Sequence, residues 1–143
     1  MTMLDDVRAF HIKFGMPTRR PGDLFQKDVI LFRISFLLEE LQELSSSLNN
    51  NDLEGATDAL VDLVWVAIGS ADILGLPFEA AWTEVKKANM AKIKVASSRD
   101  SKRGSLLDIG KPRGWRPPDI LQHLDPADLI VQKALHSKPP EDA

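Results

Sequence analysis

Glu39, Glu40 and Glu43 stand in the order E-E-x-x-E, and Asp58 and Asp62 follow at four-residue spacing in D-A-L-V-D. Carboxylates three or four residues apart share one face of a helix, and their oxygens are the ligands that hard divalent cations prefer. Asp62 is the only charge between Ala59 and Ala71, a run apolar on nearly every face that is expected to be largely buried. A buried carboxylate is costly unless it is protonated, paired or coordinated. The nearest charge on its own face is Asp58, another acid. If the two segments are helices packed antiparallel, Glu40 and Glu43 can meet Asp58 and Asp62 across the interface, enough oxygen for one or two Mg²⁺ ions, or Mn²⁺. The alternative is that E-E-x-x-E is a solvated face and that Asp62 is satisfied by a Ser or a distant Arg.

Charge is segregated along the chain. Ten acids and no Lys, Arg or His fall between Ile34 and Val85, whereas Lys86 to Arg116 holds ten bases and two acids, Asp100 and Asp108. That separation fits a divalent cation held by the acids and a polyphosphate held jointly by the cation and the bases. A net charge of -3 argues against a general nucleic-acid binder. The absence of Cys excludes thiolate metal sites, disulfides and a Cys nucleophile, and no Ser stands in a G-x-S-x-G setting.

The elements that must position these groups read as all-α, with a four-helix-bundle-like core and no convincing strand. A first helix is expected from Met3 to Phe14 with Leu4, Val7, Phe10 and Phe14 inward, leaving His11 at the surface. The second runs from about Asp23 to Leu48 on the stripe Ile30, Ile34, Leu37, Leu41, Leu44, Leu48, and the third from an Asp52 cap to Gly75. Pro77 opens a fourth, Phe78 to about Val95. The turn-rich, basic stretch after Ala96 reads as a mobile loop that orders around a nucleotide and its metal. A short helix capped by Asp125 and begun by Pro126 ends near His136, before a disordered tail from Lys138. The length suits one domain, about residues 1–122, with the last helix and tail in 123–143. Apolar faces this broad need more cover than four helices provide, so a homodimer or homotetramer is expected. There is no signal pattern and no apolar run of the ~18 residues that suggest a membrane span, which makes the cytoplasm the expected compartment and a membrane partner unexpected.

These residues resemble the all-α nucleoside triphosphate pyrophosphohydrolases, the superfamily of MazG-like, phosphoribosyl-ATP pyrophosphohydrolase-like and dimeric dUTPase-like proteins. The likeness covers E-E-x-x-E, the segment Asp58 to Gly69, Lys86 to Lys92 against an N-x-x-K pattern, and Gly110 to Asp119 against G-K...G-W-x-P-P-D. It departs at Asp58, where the family often writes E-x-x-D, and at Trp65, where Tyr is common. The resemblance implies hydrolysis of a nucleoside triphosphate, a dNTP or non-standard NTP, to the monophosphate and pyrophosphate. It further implies Mg²⁺ held by Glu40, Glu43, Asp62 and Asp58, with Glu39 positioning or deprotonating the attacking water. Lys86, Asn89 and Lys92 on the fourth helix, with Lys111, Arg113 and Arg116 from the loop, are then the phosphate contacts. Trp115 stacks on a base or simply packs, and Phe10, His11 and Phe14 border the nucleoside. Two other functions are compatible with the residues: a phosphoribosyl-ATP pyrophosphohydrolase, and a non-catalytic helical oligomerisation protein whose acids only keep it soluble.

Overall fold

Thr2 caps the first helix, α1 (Met3–Lys13): its hydroxyl accepts from the Asp5 amide while the Asp5 carboxylate accepts from the Thr2 amide at 2.7 Å. The face α1 buries is Leu4, Val7 and His11. Phe10 and Phe14 are partly exposed instead of core, and His11, expected at the surface, is 5% exposed. The reason is a partner on the third helix. His11 Nδ1 lies 2.6 Å from Asp72 Oδ2, and Arg8 Nε donates to the other Asp72 oxygen at 3.2 Å. Two groups on successive turns of α1 are thereby tied to one carboxylate, with the His inside.

The computed structural model describes residues 1–137, and the tail expected to be disordered from Lys138 lies outside them. Five α-helices appear among the described residues, which divide into two compact units, 1–78 with 124 onward, and 79–123. None of these helices is long and apolar enough to cross a membrane.

In the first unit α2 (Lys27–Asn49) and α3 (Leu53–Ile73) form an αα-hairpin, with Asn51 at φ 52° in the left-handed region and the Asp52 side chain capping α3 through the Gly55 amide. Leu4, Val7 and Ile68 make the buried apolar centre, with Trp65 and Phe78 against it. The second helix starts later than its periodicity implies. Asp23 belongs to a turn, its amide bonded to Arg20 O and its carbonyl to Arg19 Nη1, so helical bonding begins only after Gln26.

Arg19 explains where the last helix, α5 (Pro126–His136), docks. Its guanidinium holds Asp128 through two bonds of 2.6 and 3.0 Å, donates to Leu74 O at 2.6 Å, and lies over the Phe25 ring. The Gly22 amide adds a third bond to Asp128, and together the Arg19 and Gly22 donors hold the Asp128 carboxyl down at about 2.

The second unit corrects two expectations. α4 (Phe78–Met90), whose first residue lies in the first unit, ends well before Val95, because Ile93 and Lys94 form a short strand, β1, antiparallel to β2 at Ile109–Gly110. The expected mobile loop is pinned. Asp108 accepts from Ser101 Oγ at 2.8 Å, Arg103 Nη1 at 2.6 Å and the Ile109 amide at 2.9 Å. The Trp115 indole donates to Ala88 O at 2.7 Å, fastening the far end of the segment to α4.

A depressed acid stabilises the fold above its unfolded pKa and loses that stability as pH falls through its folded value. Asp128→Asn should therefore lower stability at pH 7 by roughly 1–2 kcal/mol. In thermal melts the difference from the wild type should shrink between about pH 4 and pH 2.

Candidate functional site

Arg33 on α2 reaches one turn of α3. Its Nε donates to Ser70 Oγ at 3.0 Å and its Nη2 to Val66 O at 2.8 Å. In an antiparallel pair, moving seven residues on along α2, about 10 Å, moves the opposite position back along α3. Glu40 is thus brought level with the turn that carries Asp62, and Glu43 level with Asp58.

The burial pattern agrees. The stripe α2 turns inward is Arg33, Phe36 with Leu37, Glu40, Leu44 and Ser47, whereas Ile34, Leu41 and Leu48 of the expected stripe are exposed. The helix is rotated by about one residue from its most apolar line, and two charged residues, Arg33 and Glu40, occupy the buried one.

Glu40 is the buried acid, at 7% exposure, and Asp62 is only half-buried. The expectation of a largely buried Asp62 fails because α3 leaves Leu60, Val61 and Val64 open to solvent, so its apolar run is not enclosed by this chain. Glu39, Glu43 and Asp58 are exposed. Glu40 Oε2 is buried without a hydrogen-bond partner, the one such side-chain atom among the described residues. Burial pushes the Glu40 carboxyl above the usual carboxylate range, and the charges of Glu43, Asp62, Glu39 and Asp58 push it further in the same direction. All five acids therefore share one electrostatic neighbourhood. As their side chains stand, no three acids or histidines among the described residues converge as a finished metal cluster.

An orphaned carboxylate oxygen amid four like charges is relieved by a proton or by a cation. Five oxygen-only side chains on two packed helices fit a hard divalent ion in charge and donor type.

Aromatic side chains flank the acids. Trp65 lies one turn beyond Asp62, Phe10 meets its ring edge-on at 5.6 Å, and Phe14 packs on Phe10 at 4.8 Å.

The five acids lie in the first unit; the basic candidates lie in the second. Lys86 and Asn89 line a small groove on α4 with Trp82, Val85 and Met90. Lys92 and Lys111 place their ammonium groups 5.5 and 4.6 Å from the centre of the Trp115 ring. That ring packs on α4 through its indole N–H and carries both cations, a cation–π pairing. Arg113 and Arg116 are exposed and make no ion pair among the described residues.

A family model, phosphoribosyl-ATP pyrophosphohydrolase, matches residues 7–89, more than half of the chain. The chain belongs to that family. It is a pyrophosphohydrolase, a hydrolase of phosphoric anhydride bonds, within the all-α NTP pyrophosphohydrolase superfamily. No curated protein matches it. The matched segment of this family member contains α1 from Val7 onward, α2, α3, all five acids, Lys86 and Asn89; the β1–β2 pair, Trp115 and α5 fall outside it.

Reasoning from sequence missed Arg33 and Asp72 and misjudged His11. Arg33 stands one residue before the base-free stretch, which hid it from a search within that stretch. The signal available was Gly69, a glycine inside an apolar helix. A Cβ there would come within 2.9 Å of Arg33 Nη2 and 3.3 Å of His11 Nε2, so the two buried cation-type side chains approach α3 where it has no side chain.

Because the folded chain binds a proton on Glu40 more tightly than the unfolded one, metal-free stability should fall as pH rises from about 4.5 through the raised value. Glu40→Gln should flatten that fall and raise the metal-free Tm at pH 7 by a few degrees, as read in melts under chelator.

Proposed function

We propose that the chain hydrolyses a nucleoside triphosphate, a dNTP or a non-standard NTP, between its α and β phosphates, giving the monophosphate and pyrophosphate with Mg²⁺ or Mn²⁺ as cofactor. The observation that carries this reading is Glu40 Oε2, buried and unpartnered among four further acids. Glu40, Glu43, Asp62 and Asp58 would hold the cation. When bound, it supplies positive charge against the phosphate chain and lowers the pKa of water. Glu39, exposed at the edge of the set, orients the attacking water and takes its proton as the new P–O bond forms and the bridging P–O bond breaks. Pyrophosphate leaves with the bridging oxygen. Lys86, Asn89, Lys92, Lys111, Arg113 and Arg116 are assigned to phosphate oxygens.

The Phe10, Phe14 and Trp65 cluster, one helical turn from Asp62, supplies a partly exposed aromatic wall for the nucleoside. Its position favours nucleotide over inorganic polyphosphate.

A second substrate, phosphoribosyl-ATP, is favoured by the family that matches; it carries the same α–β anhydride and would use the same acids. Panels of dNTPs, NTPs and phosphoribosyl-ATP with Mg²⁺ should release pyrophosphate. Orthophosphate alone would refute α–β cleavage. Asp62→Asn and Glu40→Gln should each lower kcat/KM by about 100-fold or more, about 2.7 kcal/mol of barrier.

The working form is proposed to be a homodimer or homotetramer in the cytoplasm, with no nucleic-acid or membrane partner. Ile34, Leu38 and Leu41 on α2 and Leu60, Val61 and Val64 on α3 are exposed apolar residues on the hairpin that bears the acids, and a second copy would cover them. Light scattering should give a multiple of the 15.9 kDa chain, and Ile34→Asp should shift it toward the monomer.

A further inference from the structure

We propose that Arg33 is a positioning residue for the metal site: its guanidinium fork pins the α2–α3 register and so holds Glu40 opposite Asp62. The inference rests on the reading of those two acids as ligands.

Arg33 is 6% exposed, and no carboxylate pairs with it among the described residues. What it holds is one turn of α3. Nε reaches the Ser70 hydroxyl and Nη2 the Val66 carbonyl, and the guanidinium lies 5.6 Å from the Phe36 ring on its own helix. Stability does not demand this arrangement. Ser70 Oγ already donates to Val66 O at 2.7 Å, so removing Arg33 leaves neither group without a partner. Burying a charge costs desolvation free energy, and even buried ion pairs are often replaced by well-packed apolar side chains at no loss, or with a gain.

The fork does provide geometry that an apolar residue lacks. Apolar side chains tolerate a slide of one helix along another, whereas two hydrogen bonds from one planar group to fixed points on α3 do not. Arg33 and Glu40 occupy the same inward stripe two turns apart, and Val66 and Asp62 one turn apart, so a slip at the fork is transmitted to the acids as an equal slip. Gly69 preserves the space the fork occupies, since a Cβ there would stand 2.9 Å from Nη2.

The test measures Mn²⁺ affinity by EPR on the full chain, alongside Tm under chelator and pyrophosphate release. Arg33→Met and Arg33→Lys should both fold, with Tm at or above the wild-type value for Met, and both should weaken Mn²⁺ binding by about tenfold or more. Lys retains the charge without the fork, so recovery of Mn²⁺ affinity in Arg33→Lys would show that charge and not register matters, and would overturn the proposal. Gly69→Ala keeps every donor and improves helix propensity while displacing the fork, and should weaken Mn²⁺ binding in a chain that remains folded. It carries the test should Arg33→Met fail to fold, and unchanged affinity in it would overturn the pin. If wild-type chain binds no Mn²⁺, the metal-site reading falls and the pin with it. If the wild type binds Mn²⁺ and the variants bind it equally well, only the pin falls.

Discussion

A carboxylate oxygen buried between two helices without a hydrogen-bond donor is unstable as a charge, and Glu40 is held in that condition by everything around it. Placing it there requires α2 to turn a polar stripe inward, with Arg33 at one end and Glu40 further along, and so to leave Ile34, Leu41 and Leu48 outside. The hairpin thereby leaves apolar surface open in order to bury a polar line. Such an arrangement is poor as packing, and it gathers the charges of Glu39, Glu43, Asp58 and Asp62 around the buried Glu40, which is what the proposed cation site requires.

The same logic runs through α1. His11 and Asp72 sit inside the first unit at 2.6 Å, with Arg8 on the outer side of the same carboxylate. The helix that carries Phe10 beside Trp65 is therefore fastened to α3 by an ionisable pair as well as by Leu4 and Val7. Directional bonds at Asp72 and Ser70 orient α1 and α2 on α3, and a purely apolar interface would leave those orientations looser.

The sequence made the helical class, the hairpin, the Asp52 and Asp125 caps and the set of five acids legible, because periodicity, capping chemistry and charge spacing are local signals. It misplaced burial among those acids. Asp62 looked buried because its neighbours are apolar, yet Leu60, Val61 and Val64 beside it are open, and apolar surroundings in sequence indicate enclosure only when another element covers them. Glu40 lies off the expected stripe, beside Leu41, so that stripe carried no sign of its burial. The roles of His11, Arg19 and Arg33 were not legible, since each depends on partners 33 or more residues away: Asp72, Asp128 and the Val66 to Ser70 turn. The order of the segment after Ala96 was hidden for the same reason, being made by Asp108 and Trp115 acting as hubs within a stretch whose composition is that of a loop.

The two charged residues on the inward stripe of α2 differ in what they contribute, and the difference bears on how such a site is built. Under the proposed metal-site reading, Glu40 is the group that a bound cation would relieve, so its burial is stability given up for binding. Arg33 gives up desolvation free energy as well, as the lowering of its pKa by burial shows, yet has no exposed position from which to meet a phosphate. A residue that is buried, charged, without a counter-ion and out of reach of solvent is explained by neither packing nor direct contact with substrate. Geometry is the remaining explanation: a planar group with two fixed acceptors is the kind of side chain that can make helix register a single value.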